Sequence, residues 1–515
     1  MGLRQLIRRV REMLSSGSDG SITGRVVKSG MWVSVLQVSD RLLQLVLLVV
    51  LARLLDPTAF GVFGIAMLAL GALRKFSDLG LNASLIYDRD ENIDHLLDTA
   101  WILEIARTAV LGVGLFLAAG TIARVFGEPS AEPLIQVIGL SRLFIGMRNP
   151  AVIYFQKDLQ FHKQFVYIFS GSVIHFVAGI GYALFVAADA WALVIGYVLA
   201  DAFRFFASYV LHDYRPSFSF DMDAARSMIG YGKWITATSI LYFFYSEGDD
   251  ALVGAFLGST ALGLYRYAYQ LSNAPATEVT HVISSVMFPA YSKLQDDLSM
   301  LREGFHRTLQ VTTLISFPLA MGIVAVTPPF VRGFLGSQWE PVILTMQILA
   351  LFGLMRSAAA TFGPVWKATG QPDLIAKFSL VRVICLALTI PPVVLFYQGG
   401  GQLLGLRGIE VVALIIIGVQ VFPMFPIDIY YLRKTIDTTY SRMARDLSYP
   451  LAASLAMYAV VVAVRELLAF GPVVEFGILV VVGGIAYVAA VFVLDRGFGW
   501  GLERNIRKAL SSVAG

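Results

Sequence analysis

From residue 28 to residue 494 the chain alternates stretches of about twenty mostly apolar residues with short polar or charged breaks. Each stretch is long enough to cross a hydrocarbon core roughly 30 Å thick, and fourteen can be counted. The pattern predicts an all-α integral membrane protein with fourteen transmembrane helices.

Several of these stretches carry a polar stripe. At the helical period, Thr238, Ser239, Tyr242, Tyr245, Ser246, Asp249 and Asp250 share one arc of the seventh span. Glu247 falls outside it, although Gly248 offers a place for the chain to bend and re-aim its neighbour. The eighth span aligns Arg266, Gln270, Asn273, Thr277 and His281, and the sixth Tyr197, Asp201, Arg204 and Ser208. In the first, Ser34, Gln37, Arg41 and Gln44 line up with Asp40 at the edge. A charge at the centre of a membrane helix costs about 2.5 to 3.5 kcal/mol even on the lenient insertion scale. Such stripes therefore turn toward protein or trapped water, and a hydrophilic cavity shared by two lobes is expected.

The two lobes follow from an internal repeat. ARLLDPTAFGVF, residues 52 to 63, is echoed by GAFLGSTALGLY, residues 254 to 265. Without a gap, Gly30 aligns with Gly232, Trp32 with Trp234, Leu55 with Leu257, Thr58 with Thr260, Gly61 with Gly263 and Ala66 with Ala268. Six spans separate the copies, an even number, so the repeat is parallel and its two lobes are related by an axis along the membrane normal. The expected organisation is an amphipathic, arginine-bearing N-terminus over 1–27 and a six-helix lobe over 28–222. A second six-helix lobe over 223–435 follows, then two C-terminal helices and a tail over 436–515. The boundaries fall in the charged, proline- or turn-bearing segments near 212–226 and 433–446.

Composition and charge sharpen the class. With 57% hydrophobic and 15% charged residues and a mean hydropathy of +0.70, no large water-soluble domain remains. The net charge of +4 reflects basic residues gathered on one side rather than a nucleic-acid partner. With the N-terminus inside, only Arg53, Arg124, Arg332, Arg407 and Arg465 fall in far-side loops, a positive-inside pattern that places both termini in the cytoplasm. Arg41, Arg74, Lys75, Arg107, Arg142, Arg148, Arg204, Arg266, Arg356 and Arg382 lie within spans or near their ends. Those nearer mid-span imply a watery interior, while Arg74 and Lys75 are placed to snorkel to the interface. The pairs Glu104/Arg107 and Asp201/Arg204, three residues apart, also read as salt bridges within one helix.

The single cysteine, Cys385, sits in an apolar span, and the six histidines show no metal-ligand spacing. No metal site or cofactor is expected. A glycine loop followed by Lys-Ser/Thr is absent from the sequence, which argues against direct drive by ATP.

LARLLDPTAFGVFGIA and FSDLGLNASLI, residues 76 to 86, resemble the polysaccharide-transporter branch of the multidrug, oligosaccharidyl-lipid and polysaccharide exporter superfamily. That branch includes O-antigen and exopolysaccharide flippases. Its pattern of ARLL-x-P-x-x-[FY]-G, then F-x-D-x-G-L, is present at Ala52 to Gly61 and at Phe76 to Leu81. The resemblance implies movement of an undecaprenyl-pyrophosphate-linked oligosaccharide across a bacterial inner membrane by alternating access, with polymerases or glycosyltransferases of the same pathway as partners. These motifs are structural turns and identify no substrate.

Stripe geometry alone supplies the candidate residues. Arginine's planar fork suits a phosphate, so Arg41, Arg204 and Arg266, with Gln270 and Asn273, are expected to bind substrate. Asp40, Asp249 and Asp250 are expected to couple the cycle to a cation or proton. Two competing functions remain open. A drug/cation antiporter of the same superfamily would want an acidic, aromatic cavity, which the arginines oppose. A membrane-embedded glycosyltransferase or polymerase would carry its chemistry on a sizeable extracytoplasmic loop, and the far-side loops here are short.

Overall fold

The computed structural model describes residues 22–77, 85, 93–158, 160–401, 403 and 405–498. The basic segment 1–14, most of the Phe76 to Leu81 motif and the tail after 498 lie outside the described residues.

The long helices run in order α1 Ile22–Leu54, α2 Pro57–Phe76, α3 Asp94–Val125, α4 Ala131–Gly146, α5 Phe161–Phe185, α6 Ala190–Leu211, α7 Met222–Leu257 and α8 Ser259–Ser292. They continue with α9 Leu298–Leu335, α10 Ser337–Ala368, α11 Asp373–Gln398, α12 Gly408–Ile436 and α13 Tyr440–Leu467, and α14 Pro472–Phe498. Among the described residues the only β pairing is an isolated bridge between Leu403 and Leu406. Eleven of the helices are long and apolar enough to cross a membrane; α4, with its 16 residues, and the polar-striped α7 and α8 are not among them. Large side chains such as Leu117, Phe185 and Val210 are more than three-quarters exposed on these helices, as expected of surfaces solvated by lipid rather than water.

The chain divides into two compact units, 1–243 and 244–515. In the first, α3 packs on α4, α5 on α6, and α1 on α5. The α3–α4 approach is close because both sides lack a side chain: a Cβ on Gly112 would stand 3.0 Å from the Gly139 carbonyl oxygen. Asp56 caps α2 by accepting from the Ala59 N–H at 2.8 Å, and Pro57 supplies a preset first helical residue. The corresponding turn between α7 and α8 is a single residue, Gly258, whose φ of 87° is open to glycine and strained for other residues.

Beyond α4 the chain turns at Asn149–Pro150. Asn149 is fully buried: its side chain accepts from the Ala151 N–H at 3.0 Å and donates to the Tyr214 carbonyl at 2.7 Å, while its own N–H donates to Ser208 Oγ at 2.9 Å. This residue ties the α4 exit to α6 and to the segment after it. Asn149→Ala would orphan the buried Ala151 N–H and leave the Tyr214 carbonyl to Arg215 alone, so it is expected to cost about 1 to 3 kcal/mol, read as a lower unfolding midpoint of the purified protein.

In the second unit α9 packs against α10, α13 and α14. His306 of α9 meets Asp446 of α13 at 2.5 Å and Thr438 at 2.7 Å, and Gln310 donates to the other Asp446 oxygen at 2.6 Å. These buried polar links tie α13 and Thr438 just before it to α9. Two helices contain a π turn, Val331–Leu335 after Pro328 and Pro329, and Gln420–Met424 around Pro423. Proline lacks an N–H and its ring pushes on the preceding turn, so the helix widens there.

Candidate functional site

The first unit contains a cavity of about 610 Å³, walled by α2 to α6 and the turn after α4. Five of the ten cations that fall in or near the spans line it: Arg74, Arg107, Arg142, Arg148 and Arg204. Glu104 and Asp201 are the carboxylates in the lining, so positive charge predominates.

Each arginine is aimed by its neighbours. Arg142 on α4 donates Nη2 to Asp201 on α6, both largely buried, and its guanidinium lies 5.2 Å from the centre of the Tyr197 ring. Arg204 stands 3.7 Å from the same carboxylate and 3.5 Å from Ser172 Oγ. It fits because α5 carries Gly171, where any Cβ would collide with the guanidinium. Glu104 takes Arg107 in a fork, at 3.0 Å to Nε and 2.6 Å to Nη2. The local pairs read from sequence are therefore ion pairs and cavity walls at once. A guanidinium held by one carboxylate keeps further N–H donors in a fixed fork, a geometry suited to an anion.

The residues expected from stripe geometry are dispersed. Of the eight, Arg204 lines this cavity. Arg41 is exposed on α1, and Asp40 accepts from Gln44 Nε2 at 2.6 Å. The others belong to the second unit. Gln270 is exposed, whereas Asn273 is buried and donates to the Tyr269 carbonyl at 3.3 Å.

Glu247, Asp249 and Asp250 occupy an unbroken α7, with no bend at Gly248 that interrupts the helix. Their partners come from α8: Tyr265 Oη donates to Asp249 at 2.7 Å, and Arg266 lies 3.4 Å from Asp250 and 3.7 Å from Glu247. Arg266 thus stands among the carboxylates expected to couple transport. Deeper in the same unit Arg382 is stacked between Tyr245 at 4.7 Å and Phe352 at 5.0 Å, and donates to Tyr245 Oη and to Gln420 in the α12 π turn.

Arg74, Arg107, Arg142 and Arg148 were legible as intramembrane cations but not as one site. The signal that joins them is tertiary, since the partner of Arg142 is 59 residues away. Among the described residues no group of three His, Cys, Asp or Glu could hold a metal ion.

Comparison with known proteins gives a consistent picture. The family described as "Polysaccharide biosynthesis protein" matches residues 50–344. The lipopolysaccharide biosynthesis protein WzxC of Escherichia coli K12 is 28% identical over 396 residues, 76% of this chain and 78% of that protein. The succinoglycan biosynthesis transport protein ExoT of Rhizobium meliloti 1021 is 23% identical over 342 residues, 66% of this chain and 69% of that protein. In three dimensions the lipid II flippase MurJ in an inward closed conformation aligns with a TM-score of 0.69 at 15% identity, covering 90% of this chain and 98% of its own. An inward-facing multidrug MATE transporter of the MOP superfamily aligns at 0.59 with 14% identity, covering 78% and 96%. The fold is that of these membrane transporters.

Proposed function

We propose, from the premise that the chain belongs to the polysaccharide biosynthesis protein family, that it flips a lipid-linked oligosaccharide from one membrane leaflet to the other. It is a multi-pass membrane transporter and not an enzyme of saccharide chemistry. The observation that carries the substrate class is the cavity with five arginines against two carboxylates. A pyrophosphate that joins a polyprenyl lipid to a sugar presents several anionic oxygens, and partly engaged guanidiniums can take them in forked, charge-assisted hydrogen bonds. The sugar enters the cavity while the tail stays in the bilayer, and alternating access moves the head between leaflets.

The finer architecture belongs to the same reading: fourteen spans, two six-helix lobes related by a parallel repeat, and two added helices. The helical turns at Asp56 and Gly258 stand at aligned positions of the repeat, and the aligned Ala66 and Ala268 are both fully buried. Basic loops orient the chain with cytoplasmic termini in a bacterial inner membrane. Asp249 and Asp250 are the coupling groups of this scheme, Asp40 a third, and a cation or proton the coupled species. Arg41, Arg266, Gln270 and Asn273 remain proposed contacts for other stages of the cycle. Pathway polymerases or glycosyltransferases would act before and after it.

A cationic-drug antiporter is disfavoured by the charge of the cavity, where a cargo cation would meet excess guanidinium. Depletion of the protein in its host tests the proposal. Lipid-linked oligosaccharide is expected to accumulate where a glycosidase added to intact spheroplasts cannot reach it, and restored expression should return it to reach. Accumulation of enzyme-accessible but unpolymerised precursor would instead place the chain after the flipping step.

A further inference from the structure

The arginine cavity contains a second kind of chemistry that an anionic group does not use. Gln164 and Tyr167, three residues apart on α5 and so on one face, both line it. Gln164 Oε1 and Tyr167 Oη are buried without a hydrogen-bond partner, as is Nε of Arg142. Tyr167 is 7% exposed, and so is Arg142. Orphaned polar atoms are uncommon inside proteins because each forfeits the hydrogen bonds it would make in water. Three in the wall of one cavity mark a place completed by something that enters it.

Their polarity says what enters. Gln164 Oε1 only accepts, Arg142 Nε only donates, and the phenol does either. A phosphate has acceptors alone at neutral pH and cannot satisfy the glutamine oxygen. A saccharide ring with hydroxyl or acetamido groups supplies donors and acceptors together, and Gln164, Tyr167 and Arg142 line one cavity with the aromatic side chain of Trp101.

We infer that Gln164, Tyr167 and Arg142 Nε form a subsite that reads hydroxyl or acetamido groups of the sugar nearest the pyrophosphate. The inference rests on the substrate reading above and goes further by assigning which residues discriminate the saccharide. Arg142 joins the two halves: its Nη2 is held by Asp201, leaving Nε to the sugar. Gln164→Leu and Tyr167→Phe remove hydrogen-bonding groups with little change of volume and leave the arginines in place. Losing a hydrogen bond to a group that stays buried changes affinity by roughly tenfold.

The test is equilibrium binding of two probes to the full-length protein in nanodiscs: undecaprenyl pyrophosphate without sugar, and the same lipid bearing an N-acetylhexosamine. Each variant is expected to bind the glycosylated lipid about tenfold more weakly and the bare lipid as the wild type does. Arg204→Ala should weaken both. Equal loss for both lipids, or no loss for either, overturns the subsite and leaves the anion reading standing. A wild type that binds neither lipid overturns the substrate reading and the subsite with it.

Discussion

Replacing Arg142 with lysine is expected to cut leaflet exchange of a lipid-linked oligosaccharide by at least about tenfold while the protein stays folded. Lysine keeps the charge opposite Asp201 but cannot lie against Tyr197 as a plane, nor present a second N–H edge to a substrate once it is paired. Arg142→Ala should be more severe and differently so. It leaves the carboxylate of Asp201, 3% exposed, with Arg204 at 3.7 Å as its remaining partner. Removing one member of a buried pair costs about 3 to 5 kcal/mol, so a large drop in unfolding midpoint should accompany the loss of transport. Adding Asp201→Asn to Arg142→Ala is expected to recover much of the stability and none of the transport. Thermal unfolding and exchange rates measured on the three variants separate the two effects.

The second large effect belongs to the α7–α8 cluster. Arg266→Ala strips Asp250 and Glu247 of the guanidinium that lies 3.4 and 3.7 Å from them, and should destabilise the protein strongly. Arg266→Ala with Asp250→Asn should be milder than the sum of the two single changes, with a coupling on the order of 1 to 3 kcal/mol. If the carboxylates also couple transport, Asp249→Asn/Asp250→Asn will change the dependence of exchange on pH or on the cation gradient. A stable double variant whose exchange keeps the wild-type ion and pH dependence would reduce the cluster to a structural one.

How much of this was readable in the chain differs between levels. The all-helical membrane plan was legible because apolar stretches declare their own length, and eleven of the helices are long and apolar enough to cross a membrane, whereas α4 is short and α7 and α8 carry polar stripes. The turns at Asp56–Pro57 and Gly258 declare themselves too, through a cap, a fixed φ and a positive φ. Stripe periodicity put Tyr197, Asp201 and Arg204 on one face, and all three line the cavity of the first unit. It could not find Arg142, because that residue's meaning comes from a carboxylate on another helix. For the same reason spacing along α7 does not show the partner of its acids: Arg266, the basic residue that answers Asp250 and Glu247, is on α8. Gln164 and Tyr167 gave no signal at all, since an amide and a phenol near the start of a span look like ordinary interface residues until their atoms prove to be buried. Gly171 is legible only in reverse, from the guanidinium that fills the place of its missing side chain.

The most direct measurement is leaflet exchange of a fluorescent undecaprenyl-pyrophosphate oligosaccharide in liposomes containing the purified protein, compared with empty liposomes and with Arg142→Lys. A flipping role for the arginine cavity predicts rapid exchange with the wild type, background exchange without protein, and at least about a tenfold slower rate with Arg142→Lys. Wild-type exchange at the background rate, or exchange in Arg142→Lys equal to the wild type, would contradict it.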